Sequence, residues 1–164
     1  MSPDRAQTLI QTLGLAQHPE GGWYRELFRS PGQLQPADGR GPRSLMTSID
    51  FLLLPGERSA WHRVTSDEAW HLLEGGPLRL WLIPPTLDSL ACVTLAPVDA
   101  EGHRPRHVVP ASWWQAAEPV GDSAAYVGAT VAPGFEFADF SFGRDDAALV
   151  SALSVLQADL GRLL

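Results

Sequence analysis

Short runs in which apolar and polar residues alternate, each closed by glycine or proline, recur about every ten residues between residues 22 and 142. From Gly22 to Arg29, Trp23, Arg25, Leu27 and Arg29 share one face while Tyr24, Glu26 and Phe28 share the other. Arg43 to Leu54 reads as one long strand with Leu45, Thr47, Ile49, Phe51 and Leu53 on one side. Leu78, Leu80 and Leu82 alternate with Arg79, Trp81 and Ile83 until Pro84-Pro85, which cannot donate to a sheet ladder. Leu90 to Ala96, His107 to Pro110, Trp113 to Ala117, Ala124 to Val131 and Phe135 to Phe142 supply further short strands. Such a chain closes into an all-β sandwich or barrel.

Helical periodicity is confined to the two ends. Ser2-Pro3-Asp4 is a helix start, Ala6, Leu9, Ile10 and Leu13 form a stripe, and Gly14 is a natural stop. From Asp145 to Leu164 a second helix carries Leu149, Leu153, Leu156, Leu160 and Leu163 on one face, to be packed on the barrel or on a partner subunit. The expected organisation is one domain over 1–164, with an N-terminal helix (1–14), a barrel (22–142) and a C-terminal helix (145–164).

Between Gly56 and Gly75 the chain can run strand, turn, strand, and the period of two then decides what faces inward. His62 shares a face with Val64. Past the T-S-D turn, Glu68, Trp70 and Leu72 share another, so two neighbouring strands can offer His62 and Glu68 to one interior.

The spacing of Gly56, His62, Glu68 and Gly75 resembles the first conserved motif of the cupin superfamily, with Val64 in place of its second histidine. Pro110-Ala111-Ser112-Trp113-Trp114-Gln115 resembles the second motif, with Ser112 for its glycine and Gln115 for its third histidine. The H-P-E-G-G-W-Y-R-E run (residues 18–26), H-R-V-x-x-D-E-x-W and V-A-P-G-F-E-F-x-D-F are similar to a small single-domain subfamily of mostly unknown function. The resemblance implies a cupin jelly-roll barrel and a homodimer. It also implies that a divalent transition metal would find only His62, Glu68 and Gln115 as ligands, so no cofactor is expected.

A formal charge of -7 argues against nucleic-acid binding, which requires basic surface to displace counterions. All twelve basic residues are arginine, which codon bias explains better than a set of anion sites, so the absence of lysine carries no functional weight. Cys92, the sole cysteine, sits in an apolar strand pattern and reads as an inert buried thiol. With no basic leader or apolar run of membrane length, a cytoplasmic protein without membrane contact is expected.

The residues then allow specific chemistry. A carboxylate bonded to an imidazole fixes its tautomer and raises its basicity, so Glu68 would orient His62 as a general base. Metal-free cupins that work this way include deoxysugar-nucleotide epimerases, which also need an acid. Tyr24 and Tyr126, the only tyrosines, are the candidates. Arg25 or Arg43 could hold a phosphate or carboxylate, Trp70 could stack on a sugar, and Gln115 could contact the ligand. Arg25 could equally form a salt bridge to Glu20 or Glu26, and Trp61, Trp81, Trp113 and Trp114 read as packing residues. The reading is a small-molecule-binding cupin, an epimerase or isomerase of a carbohydrate or nucleotide-sugar. The alternatives are a non-catalytic ligand-binding module and a metal-dependent oxygenase or isomerase with an incomplete ligand set.

Overall fold

A computed structural model describes residues 1–164. The thirteen strands are β1 (Ala16–Gln17), β2 (Trp23–Arg29), β3 (Gln33–Leu34), β4 (Arg43–Ser44), β5 (Thr47–Leu53), β6 (Ser59–Val64), β7 (Asp67–Gly75), β8 (Leu78–Ile83), β9 (Ala91–Leu95), β10 (Arg106–Val109), β11 (Trp114–Pro119), β12 (Ala125–Ala132) and β13 (Phe140–Phe142). Two antiparallel sheets, in the orders β1-β2-β5-β12-β7-β10 and β13-β6-β11-β8-β9, form a jelly roll, the architecture that the motif resemblance implied and that satisfies the sandwich or barrel expected from the strand cadence. β3 and β4 make a separate small ribbon.

Along each strand the inward residues divide between a solid half and a hollow half. On β5, Phe51 and Leu53 belong to the main core whereas Thr47 and Ile49 line a cavity. On β12, Ala125 and Val127 are core and Ala129 and Val131 line the cavity. Trp70 and the leucines Leu78, Leu80, Leu82 and Leu95 fill the solid half. Large apolar side chains thus close one end, and smaller ones leave the other open.

Helix α1 (Pro3–Leu13) begins where the Ser2 hydroxyl accepts from the Arg5 N–H and ends at Gly14 in the left-handed region. It lays Ala6 and Leu9 against Leu52 and Ala124 on the outer side of the larger sheet. Helix α2 (Ala147–Leu156), capped by Asp146, stops at Gln157, and a 3-10 segment (Ala158–Leu163) continues the leucine stripe. Leu149, Leu153, Leu160 and Leu163 cover Trp61, Ile83, Trp114 and Ala116 on the outside of the smaller sheet. Each of these leucines contributes roughly 2 kcal/mol of apolar burial. No helix is long and apolar enough to cross a membrane.

Three local expectations are corrected. The long strand breaks between Ser44 and Thr47, leaving Leu45 and Met46 exposed. In β2 a register shift between Glu26 and Phe28 reverses the alternation, so Arg29, paired with Thr47, turns to the cavity side with Tyr24 and Glu26. Cys92 is exposed, because β9 is the edge strand of its sheet and leaves one face uncovered.

Candidate active site

The hollow end encloses about 320 Å³, with His18, Glu20, Tyr24, His62, Glu68 and Phe140 among its walls. That volume lies at the small end of the range for ligand pockets. His62 comes from β6 and Glu68 from the start of β7, so the alternation that aimed both inward holds, and Val64 lines the same space.

His62 is 2 % exposed and lies flat against Phe140, with ring centroids 5.3 Å apart. Its Nδ1–H donates to the Ala60 carbonyl at 2.7 Å, a geometry that needs the proton on Nδ1 and leaves Nε2 as a lone-pair nitrogen. Burial holds the imidazole below its ordinary pKa, against the pull of Glu68, so the ring is neutral at neutral pH. Nε2 has no protein partner and is not sealed from the cavity.

Glu68 is 7 % exposed. It makes no hydrogen bond to His62; its Oε2 accepts from Gln115 Nε2 at 2.5 Å, and Gln115 Oε1 accepts from the Trp70 indole N–H at 2.9 Å. Burial pushes the Glu68 carboxyl up to about 7, the His62 charge and the Gln115 bond opposing it and Glu20 adding to it. A carboxyl group at that value exchanges protons at neutral pH.

The carboxylate beside His62 is Glu20, from the H-P-E-G-G turn. Its Oε2 is 3.3 Å from His62 Nδ1 and 3.8 Å from His18 Nδ1, and its Oε1 accepts from Ser59 at 2.8 Å. Burial raises its pKa, while burial lowers that of His18. Two glycines make this approach possible. Gly21 has φ +108°, and a Cβ there would lie 2.1 Å from the Arg58 carbonyl oxygen; one on Gly22 would lie 2.7 Å from a Leu53 methyl. Glu20 belonged to a quoted motif, yet only the fold brings it to His62.

The remaining sequence candidates separate. Tyr24 lines the cavity and meets His18 edge to face at 4.4 Å. Tyr126 does not line it, because the inward positions of β12 are Val127, Ala129 and Val131. Its hydroxyl donates to Asp50 at 2.7 Å on the outer face of the sheet. Arg25 stands at the cavity rim with its guanidinium donating to Asp50 at 2.9 Å, rather than to Glu20 or Glu26. Arg43 lies away from the cavity, its two nitrogens gripping the buried Asp139 at 2.7 Å, with Arg40 on the same carboxylate. Trp70 and Gln115 lie beneath the cavity floor, each fully buried, and form the support of Glu68.

The positions of a cupin metal set do not fit an ion here. Val64 has no donor atom, and Gln115 aims its amide N–H, not a ligand atom, at Glu68. His62 and Glu68 remain as two ligands where cupins use four. Asp99, Glu101 and His103 do converge, but on an exposed turn outside the cavity, where Asp99 accepts from the His103 ring and from the backbone N–H groups of Glu101 and His103.

Comparison with known proteins gives a consistent picture. A protein of Shewanella oneidensis is 34 % identical with a TM-score of 0.80, over 96 % of this chain and 93 % of its own. A hypothetical protein from Leishmania major is 28 % identical with a TM-score of 0.85, over 96 % and 97 %. A dTDP sugar isomerase from Desulfovibrio desulfuricans shares the fold at 22 % identity and a TM-score of 0.52, over 77 % and 87 %. A search of curated proteins finds no match. Residues 7–143 match the family described as Cupin superfamily (DUF985), and the chain belongs to that family.

Proposed function

We propose that the chain is a metal-independent isomerase or epimerase that moves a proton on a carbohydrate, free or nucleotide-linked, with His62 as the base. The observation that carries this reading is the neutral His62 ring, locked in one tautomer by Ala60, with its free Nε2 open to a cavity that also holds a carboxyl poised near pH 7. A base is most effective when its protonation state matches the working pH and its geometry is fixed in advance. Nε2 would take a proton from carbon beside a carbonyl. Tyr24 and the protonated form of Glu68 are the donors available to the enolate oxygen or to the opposite face of the carbon. The interior carries two carboxyl groups and no arginine, so a neutral sugar ring suits it. At the rim Arg25 and Arg29 also line the cavity, but they are already paired with Asp50 and with Glu26 and Glu136, so an anionic appendage would have to compete with those carboxylates.

The experiment is wash-in of solvent deuterium. Protein stripped of metal by chelation is incubated in deuterated water with hexoses, deoxyhexoses and their nucleotide-linked keto forms, and C–H signals are followed by NMR. The reading expects exchange at one carbon with the wild type and loss of at least a hundredfold in His62→Asn. Ligands that bind without exchanging would replace it with the non-catalytic binding module; exchange undiminished in His62→Asn would remove His62 as the base.

A further inference from the structure

One wall of the cavity is aromatic from His62 outward. Phe140 lies flat against His62, Phe135 meets Phe140 with ring centroids 6.1 Å apart, and Phe137 meets Phe135 edge to face at 5.1 Å. All three phenylalanines line the cavity, yet Phe137, at the far end of the row, is 59 % exposed. The segment that carries it is pinned on both sides. The Phe135 N–H donates to Thr47 Oγ1 at 2.9 Å, Arg29 donates to the Phe135 carbonyl, and Arg40 and Arg43 hold the Asp139 carboxylate. A lone exposed apolar residue needs no explanation, but one that ends a row of cavity-lining rings extends the binding surface to the mouth.

The charges around that mouth are already matched. Arg25 and Arg29 are the only arginines of the cavity wall, against the carboxyl groups of Glu20, Glu26, Glu68 and Glu136. Each nitrogen of Arg29 already donates, to Glu26, Glu136 or the Phe135 carbonyl, and Arg25 donates to Asp50. A diphosphate entering here would meet surplus negative charge and would have to break ion pairs to find a donor.

We infer that the ligand is an uncharged carbohydrate of at least two units, with its carbonyl-bearing unit at His62 and the next sugar ring lying with its C–H face on Phe137. The inference narrows the proposed function, resting on its placement of the reacting sugar at His62, and it sets nucleotide-linked sugars aside. A pyranose presents an apolar C–H face that packs on the negative face of an aromatic ring while its hydroxyls point sideways. The carboxylates of Glu26 and Glu136, bridged by Arg29, offer those hydroxyls acceptors. Phe137 is thereby a specificity-determining residue, remote from the reacting carbon.

The test is a binding titration followed by NMR in protein carrying ¹³C-labelled phenylalanine, for the wild type, Phe137→Ala and Phe137→Tyr. Loss of a signal in Phe137→Ala assigns the Phe137 ring. The probes are maltose, cellobiose, lactose and lactulose, with glucose and fructose as single units and uridine diphosphate glucose as the anionic competitor. The inference expects at least one disaccharide to bind at millimolar concentration and to shift the Phe137 ring. Its affinity should fall about fivefold in Phe137→Ala and be retained in Phe137→Tyr, while binding of the single units is the same in all three proteins. Absence of disaccharide binding overturns the inference. So does disaccharide affinity unchanged in Phe137→Ala, an equal loss for the single units, or tighter binding of uridine diphosphate glucose than of every disaccharide. Phe137-dependent disaccharide binding without deuterium wash-in would keep the carbohydrate site and defeat the catalytic reading. Wash-in that needs His62 but only on a nucleotide-linked sugar would do the reverse, so the two fail separately.

Discussion

Replacing Glu68 by glutamine removes a titration that the fold opposes. In the unfolded chain the carboxyl ionises near 4.5; in the folded protein burial moves it to about 7. The folded state therefore binds more protons than the unfolded state between those values, and stability falls as pH rises through that window. Glu68 lends its full contribution below pH 4.5 and has lost it above pH 7. The size follows from the shift: at ~1.4 kcal/mol per pH unit, ionising Glu68 in place costs about 3 kcal/mol at neutral pH. Glutamine matches the protonated carboxyl in shape, and its amide oxygen can still accept from Gln115 Nε2. Glu68→Gln should therefore equal the wild type near pH 4.5 and exceed it by about 3 kcal/mol above pH 7. In a chain of this size that is roughly 6–12 °C in Tm. Glu20 shifts in the same direction, and His18 and His62, held below their ordinary value, contribute with the opposite sign. Because His62 and Glu20 are coupled to Glu68 through charge, the difference between the urea-unfolding curves at each pH reports Glu68 together with that coupling. Parallel stability profiles from pH 4.5 to 8 would refute the reasoning.

Three further changes probe the scaffold. Ser112 has φ 67°, where a side chain is strained, so Ser112→Gly should raise stability by about 1 kcal/mol, and a lower melting temperature would contradict this. Gln115→Leu strands both the Trp70 N–H and the Glu68 carboxyl; chemical unfolding should show a loss of about 2–5 kcal/mol, and a loss near zero would mean that the bridge contributes nothing. Asp139→Asn leaves Arg40 and Arg43 without their shared buried carboxylate, which should cost about 3–5 kcal/mol, and an unchanged melting curve would argue against the clamp.

The fold was legible because alternation and glycine-proline punctuation are local properties, and they survive into the two sheets with few breaks. His62 and Glu68 could be aimed at one interior for the same reason. Arg29 could not, since the register shift in β2 is settled by pairing with β5 rather than by β2 itself. Tyr24 and Tyr126 looked equivalent on separate strands, and only the pairing of β12 with its neighbours put one inside and the other beneath α1. The partnership of Glu20 with His62 spans forty-two residues and depends on the close crossing at Gly21 and Gly22, which no period announces. Gln115 stood in the sequence as a failed ligand; the structure gives it two hydrogen bonds and makes it the support of a carboxyl group.

The most direct test of this account is a titration of the Glu68 side-chain carbon in protein carrying ¹³C-labelled glutamate, assigned by its loss in Glu68→Gln and followed from pH 4 to pH 9. A midpoint close to 7 is predicted. A midpoint at or below 5 would mean an ordinary, hydrated carboxylate, and the cavity would then lack the proton-exchanging group on which the proposed chemistry depends.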